Sequence, residues 1–255
     1  MKMPMRIGVA VSDEAAFRRL PESLPEPLTL VAVPGEVPES AECRRKLAGL
    51  RKKGVTVSVG ELAAGGLTRL IPEESGSVRL EFFRMATERC RKAAEAGCDE
   101  FCLGLDLERA VREEPFRKKL LGLLPGFFGM AAAVRMRMRL PIRIPTPPGS
   151  PALEEYRNML AGVLPEDAAG LLLDFHMHDP AVPELDFETL LRPVRFDSDA
   201  WRISYEPGLG NRFVPETMRR ILTAAGTLCR QPRRVWFAAD QEPGELAEHA
   251  KELNR

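Results

Sequence analysis

Eight short β-branched or aliphatic runs, helical segments between successive runs, and a length of 255 residues together predict an α/β chain folded as one (β/α)8 barrel domain over residues 1–255. Each gap between runs has room for a helix and two loops, which is what parallel strands require of their connections. An open doubly wound sheet is the other arrangement of the same elements. Its dinucleotide-binding form needs a glycine-rich turn after the first strand, and Val9-Ala10-Val11-Ser12-Asp13 stands there instead.

The first run, Met5–Val11, leads into a helix over Glu14–Leu20, and the second, Leu28–Val33, into one over Ala41–Lys53. The third, Val55–Gly60, precedes a helix over Val78–Ala96, where Gly54 and Gly97 supply left-handed helix caps. The fourth, Glu100–Asp106, precedes Leu107–Leu124, with a break at Pro125 and a continuation to Arg135. The fifth, Met138–Pro145, precedes Pro151–Leu164, and the seventh, Trp201–Glu206, precedes Pro215–Leu228; both helices place proline in a first turn. After the sixth run, Leu171–His178, Pro180, Pro183 and Pro193 leave space only for a short helix near Phe187–Leu191. The eighth, Arg234–Asp240, precedes a helix over Gly244–Leu253.

Composition narrows the partner. With 37 basic against 37 acidic residues there is no electrostatic footprint for nucleic acid or an anionic membrane. Mean hydropathy is −0.19, and no apolar stretch approaches the roughly 20 residues a membrane helix needs. No signal-peptide pattern opens the sequence. A small molecule or another protein, a further copy of the chain included, is the expected partner. Cys43, Cys90, Cys98, Cys102 and Cys229 are an odd number without CxxC spacing, which reads as reduced thiols in a cytoplasmic protein. The basic runs Arg44-Arg45-Lys46 and Arg51-Lys52-Lys53 read as a solvated helix face, and His249 as a surface residue.

Residues two apart share a face of a strand, so in a barrel one phase meets the helices and the other fills the interior. Leu171, Leu173, Phe175 and Met177 form the apolar phase of the sixth strand; Leu172, Asp174, His176 and His178 form the other. The same reading of the remaining strands collects Asp106, Arg143, Asp174, His176, His178, Arg202, Glu206 and Asp240 inside, mostly near strand C-terminal ends. That mouth is where such barrels place their chemistry. A structural alternative has Arg143 and Arg202 neutralising Asp174 and Glu206.

Asp174-Phe175-His176-Met177-His178 aims a carboxylate and two imidazoles to one side of a strand, a set suited to one divalent ion such as Mn, Zn, Fe or Mg. Asp174, His176, Glu206 and Asp240 are the ligand candidates. Without a metal, His176 and His178 would serve as donors to a sugar or phosphate. Arg143, held by a proline-stiffened segment, suits a carboxylate or phosphate. The Glu206-Pro207-Gly208-Leu209-Gly210-Asn211 loop lets backbone amides approach a ligand, though such turns are often only turns.

From Cys90 onward the chain resembles the xylose isomerase-like barrels, the sugar phosphate isomerase/epimerase family. The pieces that carry the resemblance are Ala93-Ala94-Glu95-Ala96-Gly97-Cys98, Leu140-Pro141-Ile142-Arg143-Ile144-Pro145, Asp174 with its nearby histidines, and the Glu206 to Asn211 loop. The resemblance implies a divalent metal between strand ends and ketose–aldose or epimer interconversion by proton transfer. It carries Asp174, one of His176 or His178, and Asp240 over as ligands, with Glu206 as a substitute. The family's fifth-strand glutamate is replaced here by Arg143 and Pro145, and its seventh-strand histidine is not seen near Ser204-Tyr205-Glu206.

The expected activity is therefore a sugar, sugar-acid or sugar-phosphate isomerase or epimerase. Glu206 would be the general base, His176 or His178 its acid partner, and Arg143, Arg202, Asn211 and Asp106 the substrate contacts. Two other readings remain open: a metal-free barrel that only binds a ligand or serves as an assembly subunit, and a metal-dependent hydrolase built on Asp174, His176 and His178.

Overall fold

The computed structural model describes residues 6–35, 37–59, 76–144, 151–165, 169–177, 200–205, 234–238 and 243–253. Its strands are β1 (Arg6–Ala10), β2 (Leu28–Val33), β3 (Thr56–Val59), β4 (Glu100–Cys102), β5 (Arg137–Ile144), β6 (Ala169–Met177), β7 (Ala200–Tyr205) and β8 (Arg234–Ala238). Every neighbouring pair is parallel, and β8 pairs with β1, so the sheet closes in sequence order. All eight expected runs are strands of one barrel; the open sheet is excluded by the β1–β8 ladder.

Helices α1 (Glu14–Arg19), α2 (Ala41–Lys52), α3 (Gly76–Glu95), α4 (Leu107–Arg112), α5 (Glu114–Ala133), α6 (Leu153–Leu160) and α7 (Pro243–Leu253) follow their strands, with a 3-10 turn at Val37–Glu39. Entry is set by side-chain caps. Asp13 accepts from the Ala16 amide at 2.6 Å, and Ser40 accepts from the Cys43 amide. Exit is set by Gly54 and Gly97, with φ of 80° and 87°. The basic run on α2 is more than a solvated face: Lys46 donates to the Arg18 and Leu20 carbonyls, Arg44 to those of Pro38 and Glu39, and Lys53 to that of Glu22. These cations cover carbonyls that a helix end leaves without partners.

Three expectations need correction. The helix after β4 does not break at Pro125. It divides at Glu113, whose backbone is extended, and α5 restarts with Pro115 in its first turn. Pro115 lacks an N–H and its ring would meet the carbonyl four residues earlier, so a helix from Leu107 cannot pass it. Pro125 carries the same defect, at about 3 kcal/mol. It is tolerated because Leu120, Leu123, Leu124, Phe127, Phe128 and Ala131 are buried around it, each worth about 1.5–3 kcal/mol for the large side chains. Second, β4 ends at Cys102, not Asp106, although the Leu103 amide still donates to the Arg139 carbonyl at 2.9 Å. Third, α6 begins at Leu153, with the Ala152 amide bonded to Glu155, so Pro151 precedes the helix. The expected helices over 187–191 and 215–228 lie outside the described residues.

The core has two shells. The larger lies between strands and helices and holds Ile7, Val9, Val31, Val57, Phe101, Leu140, Leu173 and Phe237. The smaller, inside the barrel, is Ala10, Leu30, Cys102, Leu172, Ala200 and Trp236. Alternation separates the shells residue by residue. Where β2 bulges, between the partners of Ile7 and Gly8, β1 approaches so closely that a Cβ on Gly8 would lie 1.9 Å from the Leu30 carbonyl oxygen. Cys43, Cys90, Cys98 and Cys102 are buried thiols outside any disulfide, and among the described residues no helix is long and apolar enough to cross a membrane.

Two predictions follow from this packing. Gly8→Ala forces backbone apart at the bulge and should lower stability by about 3 kcal/mol or more, at the upper end of overpacking costs, read as a fall in the urea midpoint. Burial raises the Cys90 thiol to about 11 and Cys98 to about 12, from an ordinary value of 9.0. Below pH 9 both are protonated in either state. Above it the unfolded thiols ionise while the folded ones hold their protons, so stability should fall as pH rises from 9 towards 12. Cys98→Ala should flatten that alkaline slope and the Cys90→Ala, Cys98→Ala double variant should flatten it further; an unchanged slope in the double variant would remove the thiols as its cause.

Candidate active site

The barrel interior is charged at its N-terminal floor. Glu100 of β4 is 1% exposed, as is Arg139 of β5, and the Arg139 guanidinium donates to Glu100 Oε1 at 3.0 Å. Arg234 of β8 pairs with the same oxygen. Burying one carboxylate and one guanidinium separately would cost several kcal/mol each, so the network is what makes their burial tolerable. Period-two reading places these residues: Glu100 is two before Cys102, Arg139 two before Pro141, and Arg234 two before Trp236. The sequence reading concentrated on strand C-terminal ends and missed the floor.

Above it the interior is apolar. Among the described residues Trp236 is the largest fully buried side chain. It packs with Ala10, Leu30, Cys102, Leu172 and Ala200, and small neighbours leave the space an indole needs. Cys102 contributes a thiol 3.9 Å from the Ser58 hydroxyl.

Towards the mouth, strand register sets the order. Arg143 is the partner of Asp174, Asp174 of Arg202, and Arg202 of Trp236. Leu172 and Ala200 belong to the inner shell, so positions 174 and 202, two residues further on, fall on the interior face. Position 143 falls there too, because Leu140 and Ile142 belong to the outer shell. One row across β5, β6 and β7 thus reads arginine, aspartate, arginine. One step nearer the mouth, His176 is the partner of Ser204. Arg202 is half-buried. His178, Glu206, Asn211 and Asp240, and the side chains of Arg143, Asp174 and His176, lie outside the described residues.

Asp106 differs from the expected interior placement. It is exposed and caps α4, its Oδ1 accepting from the Arg109 amide at 3.0 Å. A carboxylate immediately ahead of a helix is held there by the free amides of the first turn. Among the described residues no group of three or more His, Cys, Asp or Glu could hold a metal. The chemistry of the ligand candidates, two carboxylates with an imidazole and Glu206, suits a hard or borderline divalent ion.

No protein-family model matches the chain, and no curated protein matches it in sequence. Solved structures do. D-psicose 3-epimerase from Clostridium cellulolyticum H10, determined with D-tagatose, has a TM-score of 0.57 at 10% identity, over 98% of this chain and 97% of the epimerase. A xylose isomerase domain protein from Planctomyces limnophilus has a TM-score of 0.57 at 16% identity, over 99% and 96%. A GH18 chitinase from Pseudoalteromonas aurantia has 0.61 at 9% identity, over 98% of each chain. The fold resemblance read from the sequence, to xylose isomerase-like barrels, is thus matched by structure along nearly the whole chain. A barrel shared with a chitinase leaves the chemistry to be argued from residues.

Glu100→Gln removes the charge that Arg139 and Arg234 share and should destabilise by about 3–5 kcal/mol, the range for breaking a buried pair. Denaturant unfolding of the variant beside wild type measures it. A loss below about 1 kcal/mol, the level of an exposed pair, would mean that water reaches the floor and screens it.

Proposed function

We propose that the C-terminal mouth of this barrel binds a sugar bearing a carboxylate or phosphate and isomerises or epimerises it by moving a proton next to its carbonyl. The observation that supports the reading most is the Arg143–Asp174–Arg202 row on three adjacent strands, in a fold shared with sugar epimerases. Two cationic positions flank one anionic position, a charge order suited to an anionic substrate group held by guanidinium forks.

In this reading Glu206 takes the proton from the carbon beside the carbonyl, and His176 or His178 protonates the carbonyl oxygen. Return of the proton from Glu206 to the former carbonyl carbon, with the neighbouring hydroxyl giving its proton back to the histidine, isomerises the sugar. Delivery of a proton from solvent to the opposite face of the first carbon, with the original oxygen giving its proton back to the histidine and Glu206 releasing its own to solvent, epimerises it. Asn211 completes the substrate contacts, while Asp106 is committed to capping α4. A divalent ion held by Asp174, His176, Glu206 and Asp240 would polarise that carbonyl. The buried thiols suit a reducing, cytoplasmic setting.

A second reading, a barrel that binds the same anionic sugar without turning it over, is favoured by Arg143 at the β5 end, where the resembled family has a glutamate. Incubation in D2O with sugar acids and sugar phosphates separates the two readings. Deuterium appearing at the carbon beside the carbonyl, and lost in Glu206→Gln, supports the enzyme. Saturable binding without exchange supports the second reading, and neither binding nor exchange rejects both. Arg143→Ala should weaken binding of the anionic sugar by about 1.5–3 kcal/mol, the size of a charge-assisted hydrogen bond, in calorimetric titration. Equal affinity in variant and wild type would make Arg143 a structural partner of Asp174.

A further inference from the structure

We propose that the N-terminal floor of the barrel is a second, separate site that binds a small oxyanion of the phosphate class between Arg6 and Arg234, with the Thr56 hydroxyl as third donor. Arg6 and Arg234 are direct register partners on β1 and β8. Like charges placed opposite each other on neighbouring strands repel. Arg234 shares Glu100 Oε1 with Arg139. Arg6 pairs with no carboxylate among the described residues. Its Nη2 donates to the Thr56 hydroxyl at 2.7 Å and to the Thr29 carbonyl at 3.3 Å, and its Nε reaches the Thr29 hydroxyl at 3.4 Å.

The other nearby carboxylate, Asp99, acts on both Arg6 and Arg234 through its charge, while its own short contacts go elsewhere. Asp99 accepts from the Val57 amide through Oδ2 at 2.9 Å and meets Arg51 through Oδ1 at 3.6 Å. Burial lowers the pKa of both Arg6 and Arg234, in Arg234 repulsion by Arg6 adds to it, and the Asp99 charge opposes the shift in each. An anion between them would relieve that repulsion. The donors for it are in place: Arg6 Nη1 and Arg234 Nη2 make no hydrogen bond to a described residue, and the Thr56 oxygen, which accepts from Arg6, keeps its own proton to give. A tetrahedral oxyanion takes three such donors, and guanidinium forks suit it. The site is reachable, since the Arg234 side chain is 24% exposed and Arg6 and Thr56 are half-buried.

This site stands apart from the proposed mouth site, so the test must separate them. Thermal unfolding of the full chain is followed against inorganic phosphate at constant ionic strength, with chloride as balancing salt. Wild type should show a saturable rise in Tm of roughly 2–4 °C at about tenfold excess over Kd. Arg6→Met should lose the rise and Arg143→Ala should keep it. Any other pattern overturns the proposal, whether no saturable rise, a rise that survives Arg6→Met, or one lost in Arg143→Ala. Should Arg6→Met not fold, Thr56→Val, which removes the third donor and only one hydroxyl, is read in its place: its half-saturating phosphate should rise at least fivefold, and an unchanged value overturns the site.

Discussion

Closure of β8 against β1 is the constraint from which the rest of the structure descends. A closed parallel sheet has no edge, and its strands must divide their residues strictly between an outer shell under the helices and a lumen only wide enough for side chains. The lumen cannot take eight large residues at one level. Trp236 occupies it because its neighbours on adjoining strands are small: Gly8 is its register partner, and Ala10 and Ala200 pack beside it. Gly8 answers a second demand, since the bulged β2 backbone lies where any Cβ would be. The indole and the glycine thus serve one geometry, the close approach of β8, β1 and β2.

The same closure decides where charge can be held. A lumen sealed by an indole is a poor solvent, so ionic groups are confined to its two ends. At the floor, Glu100 and Arg139 are both buried, and their pairing offsets the cost of taking each charge out of water. Arg234 enlarges the pair and Arg6 adds a further cation through its threonine contacts. The floor is therefore richer in arginine than a purely internal ion pair requires. At the opposite end the Arg143–Asp174–Arg202 row sets three charged positions side by side on β5 to β7. An interior whose only task was stability would be filled by branched aliphatics.

Period-two alternation made the barrel legible before any coordinates. The eight runs are strands, and the inward phase holds the residues it should: Leu172, Ala200 and Trp236. Three features escaped for different physical reasons. Glu100, Arg139 and Arg234 obey the same parity but lie at strand starts, where attention to catalytic ends gave them no weight. Asp106 shares the parity of Cys102, yet the strand stops first, and a carboxylate before a helix prefers the amides of the first turn. Pro125 looked like the break because proline costs a helix its hydrogen bond. Burial of Phe127 and Phe128 outweighs that cost, while Pro115, with no comparable core before it, ends α4. Local chemistry fixes such choices only when tertiary packing is silent.

The site is harder to read than the fold because overall shape does not select chemistry. An epimerase and a chitinase match this chain equally well along almost its whole length, so the backbone leaves reaction type open. What selects is the order of charges at the strand ends. In the resembled family an acidic residue ends the fifth strand and helps hold a cation. Here Arg143 occupies that end, and it stands in register with the aspartate that resemblance assigns as a ligand. The register therefore sets a cationic position beside that aspartate where the resembled family has an acidic one, and a charge reversal at one strand end changes what a mouth can hold without any change in the backbone that carries it.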